Sequence, residues 1–184
     1  MKKKTIIFEI NECDFNFFFY GSKKYNYPGI KKFFRNKKKF KTITNDKKEG
    51  LDLDPWVQWV SMHTGTVSKK HKVFRTGQSL KKEISQIWET LANRGIKSSL
   101  WGLFNAVLRN KKNIDLFYPD PWNFTQKAHP KKFNSYLKLP RYYALNYPNI
   151  RIIKIIFFGL MFFKKIFLIK DIKNFLKKIL NFTY

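Results

Sequence analysis

The sequence predicts an α/β chain: a mostly parallel sheet flanked by helices, followed by a basic, helical C-terminal segment. Three observations carry this. Short apolar runs of strand length, such as "KKTIIFEIN" and "IKSSLWGLF", are separated by helical patterns. One of those patterns ends at a glycine and leads directly into a strand, as in the second half of a βαβ unit, which argues for parallel pairing. From Pro121 to Tyr184 thirteen Lys and Arg residues stand against one acid, Asp171.

Taken in order, residues 3–11 read as a buried strand, with Ile6, Phe8 and Ile10 on one face and Glu9 and Asn11 near its end. "DFNFFFY" follows as a short helix, with Asp14 as N-cap and Gly21 as stop. "NYPGIKKFFRNKK" starts a second helix near Pro28, a residue suited to the first turn. "FKTITND" alternates like a strand, and "DKKEGLDLDP" is an acidic loop.

The stretch "DPWVQWVSMHTGTVSKKH" concentrates residue types that are scarce elsewhere. As a helix from Trp56 to Thr64 it puts Trp56, Val60 and His63 on one face, bordered by Trp59, and Ser61 and Thr64 on another. Its aromatics read as core, with His63 a hydrogen-bonded neighbour, or as the wall of a reacting centre; both readings stay open here. Further on, Ile84, Ile87, Trp88 and Leu91 take amphipathic spacing in "SLKKEISQIWETLANRG", with Ser79 as N-cap and Gly95 just past the end. "IKSSLWGLF" is the next strand and "YPDPWNFTQKAHP" a proline-punctuated loop. Residues 131–148 read as helical in part, broken by Pro140 and Pro148.

The totals set limits. A chain of 184 residues with 43% hydrophobic and 18% aromatic content can bury a core despite a net charge of +26. That charge suits an anionic partner, but Lys, Asn, Ile, Phe and Tyr are also what AT-rich codons supply. The lysines run throughout, so compositional drift is preferred to selected nucleic-acid binding, and nucleic acid is not an expected partner. Cys13 is the single cysteine, which excludes an internal disulfide and a Cys-based zinc site. The apolar run after "MKKK" is short and interrupted by Glu9, so no signal peptide is read, and the expected place is the cytoplasm, with peripheral contact at a membrane. Near the C-terminus the uncharged apolar run from Ile155 to Phe163 is far shorter than the ~20 residues of a spanning helix. It suits an interfacial helix on an anionic leaflet, or equally a packed helix hairpin.

The order of segments resembles the alkaline phosphatase-like superfamily of phosphodiesterases, sulfatases and phosphoglycerate-mutase-type enzymes. In that superfamily a strand ends in a metal-binding aspartate, a helix ends in Thr-Gly near a histidine-bearing turn, and a helix–glycine–strand unit follows. The matching pieces are Thr64-Gly65, His71 and the stretch from Ile87 to Gly102. The resemblance covers residues 4 to 125, which makes residues 1–125 an incomplete α/β portion and 126–184 a basic helical cap or membrane-surface segment.

The resemblance implies hydrolysis of phosphate or sulfate esters at a divalent-metal pair, zinc or manganese, with an activated hydroxyl as nucleophile. The first-strand ligand position falls on Asn11, with Glu12 beside it. Family spacing puts the nucleophile at Pro55, which has no nucleophilic atom, so Ser61 on the same helix is nominated. Asp54 is a ligand or an anchor, and Thr64 a helix-end hydroxyl. The family's further Asp and His ligands lie far downstream, whereas this chain has only His129 after His71. The expectation is therefore the N-terminal part, or a reduced relative, of such a hydrolase, inactive alone. The alternative is a non-enzymatic basic protein that binds membrane surfaces or polyanions.

Overall fold

The computed structural model describes residues 5–11, 14–35, 38, 40–44, 46 and 53–166. The chain divides into two compact units, Met1–Lys47 and Lys48–Tyr184. Glu12, Cys13 and the acidic residues at 49 and 52 lie outside the described residues, as does the basic stretch after Ile166.

The described elements of the first unit are two helices. Helix α1 (Phe15–Lys24) opens where expected: the Asp14 carboxylate accepts the Asn16 N–H at 2.7 Å. Gly21 does not stop it. The helix continues to Lys24, and the Gly21 carbonyl accepts the Tyr25 N–H at 2.9 Å. A glycine ends a helix by taking a left-handed conformation, and here Asn26 takes it instead, at φ 50°. Helix α2 (Pro28–Arg35) begins on the proline.

The two strands expected in this unit do not form. Residues 5–10 and 40–44 carry no ladder, and Ile6, Phe8, Phe40 and Ile43 are exposed. An alternating apolar run becomes a strand only when another strand supplies its hydrogen bonds, and none of the described residues does so.

The second unit holds the core. Helix α3 (Pro55–Thr64) buries Val57, Val60 and His63 and ends on Gly65 at φ 63°. A single turn, α4 (Ser68–His71), follows, and then an irregular stretch to residue 86. Helix α5 spans only Ile87–Asn93, so Ser79 is not its cap. Gln86 is: Gln86 and Glu89 form a reciprocal capping box, the Gln86 N–H reaching Glu89 Oε2 at 2.8 Å. The residues upstream cannot join the helix because their carbonyls are taken. Arg109 donates to the carbonyls of Leu80, Lys81 and Ile84 while pairing with Glu89 at 2.8 Å.

The end of α5 follows the sequence closely. Gly95 lies at φ 73°, its N–H bonds the Ala92 carbonyl, and the Ile96 N–H bonds the Leu91 carbonyl, both at 3.0 Å. That is a Schellman closure, and it turns the chain into strand β1 (Ser98–Trp101). Strand β1 pairs in parallel with β2 (Ile114–Tyr118), with Leu100 beside Phe117 and Trp101 beside Tyr118. This two-stranded sheet is the only one among the described residues. An α/β character with a parallel pair is therefore present. The crossover over 102–113 contains no helix, and Leu103, Ala106 and Leu108 pack on the sheet with Trp88, Ile114 and Phe117.

Beyond β2, Phe117 and His129 exchange both backbone bonds at 2.8 Å in an antiparallel bridge. A 3-10 turn (Lys131–Ser135) leads to α6 (Lys138–Asn146) and α7 (Ile152–Ile166). Pro140 does not break α6. It lies in the first turn, where a missing N–H costs no intrahelical bond. No helix among the described residues is long and apolar enough to cross a membrane.

Two glycines with nearly the same backbone test how tightly this unit is closed. A Cβ on Gly95 would meet nothing within 4 Å, whereas one on Gly77, at φ 76°, would lie 2.5 Å from the Trp122 carbonyl oxygen. Gly95→Ala is expected to cost about 1 kcal/mol, the left-handed penalty alone. Gly77→Ala should cost roughly 3 kcal/mol, because rigid backbone must also move. Urea midpoints of the two variants measure the difference.

Candidate functional site

The first turn of α3 is held by residues that follow the two strands. Asn105, buried and at φ 52°, lies just beyond β1. Its side-chain N–H groups donate to the carbonyls of Trp56 and Arg75, both at 3.1 Å, and its Oδ1 accepts the Gly77 N–H at 2.6 Å. Its own backbone N–H bonds Asp120 Oδ2 at 3.2 Å, and Asp120 lies two residues past β2. Asp120 in turn accepts the N–H groups of Trp122 at 3.0 Å and Asn123 at 3.2 Å through Oδ1. The start of α3 is thus fastened at the carboxyl ends of the parallel strands, where open α/β sheets place their ligand sites.

Burial raises the Asp120 carboxyl above its ordinary range; the bonds from Asn105, Trp122 and Asn123 and the nearby Arg141 act the other way. Arg141 donates to the carbonyl of Asn123 at 2.8 Å, and burial lowers its pKa, opposed by Asp120 and Tyr118. Burial also raises the Tyr118 phenol.

Along α3 the nominated side chains go to different tasks. Asp54 is the N-cap residue, half-buried, and its carboxylate makes no capping bond, so Pro55 at the next position starts the helix without it. Trp56 donates its indole N–H to the Phe74 carbonyl at 3.0 Å. His63 is enclosed by Trp59, whose ring centroid is 6.2 Å away, and by Trp88, edge-on at 5.1 Å. It is a wall residue of the core. Thr64 donates to the Val60 carbonyl at 2.7 Å and shares a hydrogen bond with the Thr66 hydroxyl at 2.8 Å, the helix-end role its position suggested.

Ser61 meets the histidine of the following turn. Its Oγ lies 3.0 Å from Nε2 of the buried His71, and His71 Nδ1 accepts the Val73 N–H at 3.0 Å. An acceptor at Nδ1 fixes the tautomer: neutral His71 carries its proton on Nε2 and donates it to Ser61. His71 therefore orients the serine oxygen and cannot take a proton from it.

Asn11 is an exposed turn residue of the first unit rather than the end of a strand. Glu12 falls outside the described residues. Among the described residues no three His, Cys, Asp or Glu side chains converge as a metal shell. Asp54 at a helix start and His63 between two tryptophans do not fit a zinc or manganese pair, which needs several such donors around each ion.

The residues that organise the site were missed in the sequence. Asn105 had one available signal, since asparagine tolerates the left-handed conformation better than other non-glycine residues. Asp120 had another in "PDPW", where an aspartate after proline favours a turn closed by its own carboxylate. No protein-family model matches the chain, and no curated protein or solved structure does either.

Two outcomes follow from this network. Asn105→Gly keeps the backbone freedom and Asn105→Ala does not, yet both are expected to lose roughly 3 kcal/mol, because three part-buried backbone groups lose their partner. Equal losses in denaturant melts identify the amide, not the dihedral, as the cause. For Asp120, a raised folded pKa means the native state holds a proton that the unfolded chain releases. The stability it contributes is full below the ordinary carboxylate range and falls as pH rises through the raised value. The stability of wild type minus that of Asp120→Asn should therefore decline across that window.

Proposed function

We propose that this chain is the strand-and-helix frame of a phosphate- or sulfate-ester hydrolase of the alkaline phosphatase-like kind, as the N-terminal part of one or as a reduced relative. On this reading β1 and β2 belong to a mostly parallel sheet flanked by helices. The observation that carries it is the Asn105 tie, which keeps the first turn of α3 at the carboxyl ends of a parallel strand pair. That is the region where such a sheet works on its ligand, and α3 is the helix in which the family resemblance puts the nucleophile.

Ser61 is the hydroxyl assigned to attack. Displacement at phosphorus or sulfur would form the Ser61 Oγ bond as the ester oxygen leaves, and the serine proton must go to a base. His71 already bears a proton on the facing nitrogen, so it positions Oγ, and the proton goes to a base other than His71. Since these residues do not supply a cation shell either, the chain by itself is expected to bind ester analogues without efficient turnover.

The test uses the full chain with added zinc or manganese. Orthovanadate, a mimic of the five-coordinate transition state, should bind, and Ser61→Ala should weaken it by about tenfold with the circular dichroism spectrum unchanged. Turnover of bis-(p-nitrophenyl) phosphate or p-nitrophenyl sulfate that survives Ser61→Ala removes Ser61 from the role. A chain that neither binds orthovanadate nor turns over either ester overturns the reading.

A further inference from the structure

Helix α7 is apolar on both sides. Its half-buried side, with Phe158, leans on α6: the rings of Tyr142 and Phe158 are 5.5 Å apart, and the Arg151 N–H bonds the Tyr142 hydroxyl at 3.0 Å. The opposite side is Ile152, Ile153, Ile156, Phe157 and Leu160, each more than half exposed. Those positions follow i, i+1, i+4, i+5, i+8, a single stripe along the helix. Five large apolar side chains in one stripe make a patch of the kind that marks an interaction surface.

We infer that this stripe is a docking surface for an anionic lipid bilayer, with α7 lying in the interface plane. Charge complementarity chooses the occupant. Between Arg151 and Tyr184 the chain has eight basic residues and one acid, so a patch on another copy of this +26 chain meets repulsion where an anionic leaflet meets attraction. Lys154 is held beside the stripe rather than on it, its ammonium 5.5 Å from the Tyr142 ring centroid. The uncharged run from Ile155 to Phe163 suits partial burial at the headgroup boundary, since a span needs ~20 apolar residues. The inference is independent of the ester-hydrolase reading.

Sedimentation of the full chain with vesicles tests it. At an ionic strength of about 0.1 M the chain should pellet with phosphatidylserine-containing vesicles and several-fold less with phosphatidylcholine alone. Ile153→Asp combined with Phe157→Asp should lower partitioning by at least about tenfold, while Arg151→Gln with Lys154→Gln should flatten the salt dependence. Both pairs are exposed, and circular dichroism checks that each variant keeps its helices. Partitioning that ignores the aspartates overturns the proposal. So does a wild-type chain that fails to bind either vesicle but self-associates through the stripe, the result expected if a second copy covers it.

Discussion

Asn105 commits every polar atom of its side chain to backbone from separate parts of the chain: Trp56 in α3, and Arg75 and Gly77 in the loop after α4. Its own N–H holds Asp120. Two residues later Val107 exchanges both of its backbone groups with the Gln86 amide, at 2.9 and 3.0 Å, a side chain imitating a strand neighbour. A parallel crossover is ordinarily made by a helix, which satisfies its own backbone. This one has none, and buried amides from Asn and Gln do that work. In a low-dielectric interior such a network is rigid only when every member has its partner. The arrangement of α3, the loop to α5 and the turn after β2 therefore stands or falls together.

That dependence shapes what α3 can do. One side of the helix is anchored in the core by Val57, Val60 and His63, and the indole N–H of Trp56 is fixed on Phe74. Ser61 is left at the boundary, and its orientation depends on a histidine whose other nitrogen is locked by the Val73 N–H. The residue concentration that makes this stretch conspicuous in sequence is mostly a packing solution, and the Ser61–His71 contact is the part of it that chemistry could use.

What could be read in the sequence was whatever local physics decides. Asp14, Pro28 and Gly95 are caps and first-turn residues whose preference is set by their own backbone, and each is where its type demands. The span of α3 and the strand after Gly95 follow in the same way from periodicity and capping. What could not be read depends on partners distant in the chain. Residues 79–86 have a helical pattern, but Arg109 takes their carbonyls and Gln86 caps the helix instead. The alternating runs at 5–10 and 40–44 lack the second strand that alternation presupposes. Asn105 and Asp120 look ordinary until residues far from them are brought alongside.

The same separation clarifies the charge. Arg109 and Arg141 are built into the fold: Arg109 spreads its planar fork over the carbonyls of Leu80, Lys81 and Ile84, and Arg141 binds those of Asn123 and Gln126. The lysines of the second unit, such as Lys69, Lys70, Lys81, Lys82, Lys111 and Lys112, are exposed, as compositional drift would leave them. Drift toward Lys, Ile and Phe fills solvent-facing positions with lysine wherever nothing else is required of them. On α7 the solvent-facing positions other than Lys154 are dominated by Ile, Phe and Leu, in one continuous stripe. Packing on α6 accounts for apolar residues on one side of α7 only, so the exposed stripe calls for a cause of its own, and a surface that is itself apolar is such a cause.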